Sequence, residues 1–178
     1  MTRKEFMNWA NALKTYYPRE QLLPNEAALE LWYQALKDIP MQVAEATLRK
    51  WVATNKWSPT IAEIREMCVD VKRGDALDWS DAWEQVQLAI KRFGSYRPAE
   101  AMASLDPITR EAVRRIGFYN LCVSENPISD RKQFRDTFEI MAKREQMRLQ
   151  LPIELQGDIK SIQAEFKLMI ESGEAQHG

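Results

Sequence analysis

The chain carries one histidine, His177, next to its last residue. An imidazole there has almost no chain beyond it to build a site, so a solvated role is expected. Without a held histidine, Ser-His-Asp and Cys-His relays, HExxH and nearly all zinc arrangements drop out. The carboxylate pairs Asp78/Asp81 and Glu63/Glu66 fall where helix starts favour acids, which predicts capping or solvation rather than metal binding. Six scattered glycines form neither GxxxxGK[ST] nor GxGxxG, so no phosphate cradle is expected. Cys68 and Cys122 sit in apolar helical stretches without CxxC spacing and read as reduced, buried thiols. The residues predict a non-enzyme: no catalytic residue, no cofactor and no metal.

Binding chemistry is left. The 25 basic and 26 acidic residues give a net charge of −1, which disfavours duplex DNA as sole partner, because phosphate neutralisation needs a basic excess. Direct nucleic-acid contact is expected to be weak or absent. One local patch competes with that view. Pro107 to Asn120 fits the turn and second helix of a helix-turn-helix, with Arg110 and Arg114 four apart on one face and Arg115 at its edge. Lys91, Arg92 and Arg97 would extend the patch if the two helices pack together. A solvated helix face is the plainer reading, with a phosphate or acidic-protein contact as its rival.

The six tryptophans are a second signal. Trp9, Trp32, Trp51 and Trp57 read mainly as core, yet about 70 residues cannot fully bury so many large rings. One or two, with Tyr16, Tyr17 or Tyr33, are expected at an exposed patch suited to a partner; Trp57 and Tyr17 are the candidates. Ser124-Glu125-Asn126-Pro127 is a polar link between helices, and Asn126 is a candidate contact because loops carry function.

The elements that must position these residues are helical. Thr2 with Glu5, and Thr60 with Glu63, fit capping boxes; Asn25, Asp78 and Asp106-Pro107 fit helix starts. Apolar residues recur at helical spacing in Phe6/Trp9/Leu13, Leu31/Trp32/Leu36, Ala44/Leu48/Trp51 and Ile61/Ile64/Cys68. Beyond Gly74, further stripes run through Trp79/Trp83/Val86/Ile90, then Ile108/Ala112/Ile116, then Phe118/Leu121. Asn126-Pro127 is expected to stop the last of these, and Ser129-Asp130 to cap the longest helix, ending near Gln150. After Pro152, Ile159, Ile162, Phe166, Met169 and Ile170 mark one amphipathic helix, placed evenly between packing on its own domain and docking into a partner. The prediction is an all-α chain: an N-terminal four-helix bundle (1–74), a second helical unit (75–151), and a C-terminal amphipathic helix with a flexible tail (152–178).

No apolar run approaches the ~20 residues that span a bilayer, and Met1-Thr2-Arg3-Lys4-Glu5 lacks a signal-peptide core, so a cytoplasmic protein without membrane contact is expected.

The segments Leu13-Lys14-Thr15-Tyr16-Tyr17-Pro18, Leu31-Trp32-Tyr33-Gln34-Ala35-Leu36-Lys37-Asp38-Ile39-Pro40 and Trp51 through Arg65 (with Trp57-Ser58-Pro59-Thr60) resemble the N-terminal domain of phage replicative-helicase loader/inhibitors. The likeness covers about Met1 to Val71. Leu105-Asp106-Pro107 through Gly117, then Ser124-Glu125-Asn126-Pro127, resembles longer members. The resemblance implies a helical protein without a P-loop that binds a replicative hexameric (DnaB-type) helicase in the host cytoplasm. It would inhibit the helicase and load it at the origin, with an origin-binding initiator as a further partner. On that basis Arg110, Arg114, Arg115 and Asn126 are candidates for the helicase face, and Trp57 with Tyr17 for an N-terminal partner surface. The alternative is a small helical DNA-binding adaptor of phage replication or packaging.

Overall fold

Polar side chains punctuate the chain before its apolar faces pack it. In the computed structural model, which describes residues 1–74 and 77–174, Thr2 accepts from the Glu5 amide while the Glu5 carboxylate accepts from the Thr2 amide. Thr60 and Glu63 do the same. Each glutamate titrates below its ordinary range, first because the threonine amide donates to its charged form and then because the threonine hydroxyl does. Asn25, Asp78 and Asp106 each accept amide hydrogens in the first turn of the helix that follows.

Between these signals the described residues form ten helices and no strand. They are α1 (Arg3–Tyr16), α2 (Glu26–Leu36), α3 (Met41–Thr54), α4 (Ile61–Arg73), α5 (Trp79–Phe93), α6 (Pro98–Ser104), α7 (Pro107–Ile116), α8 (Phe118–Val123), α9 (Pro127–Gln150) and α10 (Ile153–Glu174). None is long and apolar enough to cross a membrane. His177 lies outside the described residues.

The helix expected to start at Ser129-Asp130 begins earlier. Asn126 is its cap: its side-chain oxygen accepts from the Ser129 amide at 3.2 Å and its carbonyl from the Asp130 amide at 3.1 Å. Pro127 follows in the first helical position, where its missing N–H and fixed φ cost nothing. The Asn-Pro pair therefore opens α9 as well as closing the turn before it.

The chain divides into two compact units, Met1–Gly74 with Arg148–Gly178, and Asp75–Met147. In the first, α1 to α4 share a core of Phe6, Trp9, Leu13, Leu36, Leu48 and Ile64. Trp9 is fully buried because its indole N–H finds the Ala44 carbonyl at 3.0 Å. Trp32 and Trp51 are half-buried against this core or its edge, and Trp57 stands outside it.

In the second unit, α5 to α9 enclose Val86, Val113, Leu121, Phe134 and Phe138. Phe134 is the largest fully buried ring there, 5.2 Å from Trp83 and 5.8 Å from Phe138. Gly117, at φ 96°, turns α7 into α8; a Cβ there would stand 2.7 Å from Asn120 Nδ2. Both cysteines are free, Cys68 buried and Cys122 half-buried, and burial pushes each thiol pKa up.

Phe134→Ala empties the centre of the second unit. Its expected cost is about 3–5 kcal/mol of unfolding free energy, read as a lower urea midpoint by circular dichroism. A shift below about 1 kcal/mol would show that Phe134 does not hold this core.

Candidate functional site

A buried charge organises the first unit. Arg65 lies on the apolar side of α4 among Ile61, Ile64 and Cys68 and is only 7% exposed. Its guanidinium donates to both Asp38 oxygens, at 2.8 and 2.9 Å, and to the Ala35 carbonyl at 2.6 Å. Its Nε–H donates to the Gln150 carbonyl. Asp38 also accepts from the Ile153 amide at 3.2 Å. One ion pair thus joins the end of α2, the middle of α4 and the turn that starts α10. Burial alone would raise the Asp38 carboxyl, but the Arg65 hydrogen bonds and charge, with the Ile153 amide, outweigh it and hold it below the usual range. Lys37 adds a bond to Glu154 at 2.8 Å.

This anchor begins a helix that then leaves its support. From Lys160 to Ile170 every residue of α10 is exposed, including Ile162 at 52% and Phe166 at 61%. Ile162, Phe166, Met169 and Ile170 recur at spacings of three and four, so they share one face. Asp158 and Glu165 line one edge of it. A helix with such a stripe ordinarily buries it.

Of the expected contact residues, Arg114 and Arg115 are in solvent on α7, with side chains 75% and 49% exposed, and both approach Glu111, at 3.8 and 3.4 Å. Arg110 turns its guanidinium back onto the end of α6, donating to Met102 and Leu105 carbonyls at 2.7 and 2.9 Å. It satisfies orphan carbonyls of that short helix. Asn126 is committed to capping α9. Lys91 is exposed, while Arg92 and Arg97 lie over the Phe93 ring at 5.1 and 5.3 Å.

Trp57 is 77% exposed, its backbone carbonyl held by the Trp51 indole at 2.9 Å. Tyr16 is half exposed. Tyr17 instead packs onto the core with its hydroxyl buried, and burial raises its pKa.

A feature unforeseen from the sequence lies in the second unit. Trp79, Trp83 and Gln87 of α5 face Ile128, Arg131 and Arg135 of α9 across a groove of about 590 Å³. The Arg131 and Arg135 guanidiniums sit over the Trp79 ring, 5.1 and 5.7 Å from its centroid. Among the described residues, no group of His, Cys, Asp and Glu side chains is placed to hold a metal ion.

The helices α1 to α3 and the first residues of α4, up to Arg65 itself, match a family model over residues 1–65. That family is described as the N-terminal domain of the gene-thirty-nine protein, the helicase loader of phage SPP1. Residues 1–65 are an SPP1-type loader N-terminal domain. The family is one of non-enzymatic phage helicase loaders, which bind and inhibit a DnaB-type helicase. The loader domain contains Tyr17, Trp57 and both members of the Asp38–Arg65 pair; α5 to α10 lie beyond it. No curated protein and no solved structure matches the chain.

Arg65→Met leaves the Asp38 carboxylate largely buried and unpaired, with an expected loss of about 3–5 kcal/mol. Adding Asp38→Leu should recover most of that loss, because a packed apolar pair needs no desolvation; urea titration of the three chains checks both. The Asp38 pKa is lower folded than unfolded, so its contribution is full above the unfolded value of ~3.9 and is lost as pH falls through the folded value. Asp38→Asn should therefore show a flatter stability profile below about pH 4 than the parent. Parallel profiles would sink this assignment.

Proposed function

We propose that this chain is a phage helicase loader of the SPP1 type, acting without catalysis in the host cytoplasm. It binds a replicative hexameric DnaB-type helicase, holds it inhibited and delivers it to the origin. The observation that carries the reading is the match of residues 1–65 to the loader N-terminal domain.

The chain is read as three working parts: an N-terminal four-helix bundle (1–74), a second helical unit (75–151) and a C-terminal amphipathic helix (152–178). The helicase takes the apolar face of α10, whose Ile162, Phe166 and Met169 lie in water with the spacing of a groove-binding helix. Arg114 and Arg115 supply a separate cationic contact to the same partner, being exposed and only weakly shared with Glu111. Arg110 and Asn126 support that surface by holding α6 and α9. Trp57 and Tyr16 present exposed aromatic rings on the bundle for an origin-binding initiator, while Tyr17 packs onto the core. Direct nucleic-acid binding contributes little, since the charge is near neutral and Glu111 offsets the arginine patch.

The test is co-purification of the full chain with the cognate hexameric helicase, together with the helicase ATPase rate. A stable complex and a reduced rate are expected. Phe166→Asp should weaken the complex at least tenfold, about 1.4 kcal/mol or more, because it puts a carboxylate in the centre of the apolar stripe; Arg114→Glu with Arg115→Glu should weaken it less. No complex at micromolar concentration, with an unchanged ATPase rate, removes the reading.

A further inference from the structure

The groove of the second unit and the bare face of α10 are complementary in apolar character and in charge. The groove has an aromatic floor, Trp79 and Trp83, and a wall along α9 in which Ile128, Arg131 and Arg135 are spaced three and four apart. Ile128 is 84% exposed, large for an isoleucine beside an open apolar groove. Arg135 is already shared with Asp136 and Glu139, so Arg131 and Lys132 carry most of the unshared positive charge. On α10, the stripe of Ile162, Phe166 and Met169 has Asp158 and Glu165 along one edge, whereas Lys160 and Lys167 lie on the far side of the helix, given its turn of about 100° per residue. An apolar helix face with a carboxylate edge fits an apolar groove with a guanidinium edge.

Nucleic acid fits the groove less well. The Trp79 face is covered by two guanidiniums, which removes the open ring on which a base would stack. Guanidiniums held over an indole keep their edge N–H groups free to turn outward, the geometry that receives carboxylates.

We propose that the groove seats α10 of a second copy of this chain, so that two chains pair by reciprocal exchange of their C-terminal helices. The pairing is isologous: each copy gives one helix and offers one groove, and the buried area is doubled by the symmetry. It is independent of the helicase reading, because both surfaces belong to this chain. It also gives the exposed stripe a resting place in the absence of another partner.

The experiment is size-exclusion chromatography with light scattering on the full chain, over a micromolar dilution series, at about 0.05 M and about 0.5 M salt. A dimer is expected at low salt, with dissociation about tenfold or more easier at high salt, because the charged edge is screened. Arg131→Glu with Arg135→Glu damages the groove, and Ile162→Ser with Phe166→Ser damages the helix. Each double variant, with unchanged helical circular dichroism, should raise the dissociation constant at least about tenfold. Mixing the two should restore a heterodimer through the one intact groove and the one intact helix. A parent chain that is monomeric throughout overturns the proposal. A dimer lost on damage to α10 but untouched by damage to the groove also overturns it, since α10 would then pair with its own copy elsewhere. So does the converse, a dimer that needs the groove and not α10.

Discussion

The Asp38–Arg65 pair is the constraint from which the first unit takes its form. Removing two charges from water costs several kcal/mol per ion, and only close geometry with every donor satisfied offsets it. Here the guanidinium meets a bidentate carboxylate and the Ala35 and Gln150 carbonyls, and the carboxylate receives the Ile153 amide as well. Such a pair adds little net stability over a well-packed apolar one. What it adds is position: only one placement of the turn at Gln150–Ile153 satisfies all these groups together. The start of α10 is thereby fixed by polar bonds to α2 and α4, while its far half makes no use of the core.

That division explains why α10 is suited to function rather than being a stray helix. The two cores are filled from other helices, by Phe6, Trp9 and Leu13 in one and Val86, Val113 and Phe134 in the other. Leaving a stripe such as Ile162, Phe166 and Met169 in water forgoes roughly 1.5–3 kcal/mol per side chain relative to burial. A surface that keeps this much apolar area in solvent is suited to association. Anchoring one end of the helix by an ion pair keeps it near the unit while its binding face stays open.

Local signals in the sequence are strong and long-range ones weak, for reasons visible in particular residues. Thr2/Glu5, Thr60/Glu63, Asn25, Asp78 and Asp106 act on amides two or three positions away, so their roles can be read without the fold. Asn126-Pro127 is ambiguous because the same pair serves as a stop for one helix and as cap and first residue for the next. Arg65 carries a signal of its own: an arginine set within an apolar stripe requires a buried acceptor, but its partner is 27 residues away in a turn. The reach of Arg110 back to the carbonyls of α6, instead of toward a partner, depends on how α6 and α7 pack, which spacing along one helix does not encode. Trp79 and Trp83 have the periodicity of core residues. Their half-exposed state follows from α9 bringing arginines over the Trp79 ring rather than apolar side chains.

The amphipathic pattern of α10 shows the limit of periodicity most clearly. A 3.6-residue stripe states that a helix has two faces and is silent about what covers the apolar one. The same holds for charge: a net of −1 excludes a uniformly basic surface but averages over regions of opposite sign. In this chain the arginines of α7 and α9 and the acids along α10 cancel in the sum while standing on separate elements. Local sign, not the total, sets what each surface attracts at distances within a Debye length of about 8 Å. A near-neutral protein can therefore offer an acidic helix edge and a cationic groove at once, and recognition by surface contact, the means by which a non-enzymatic loader acts, draws on both.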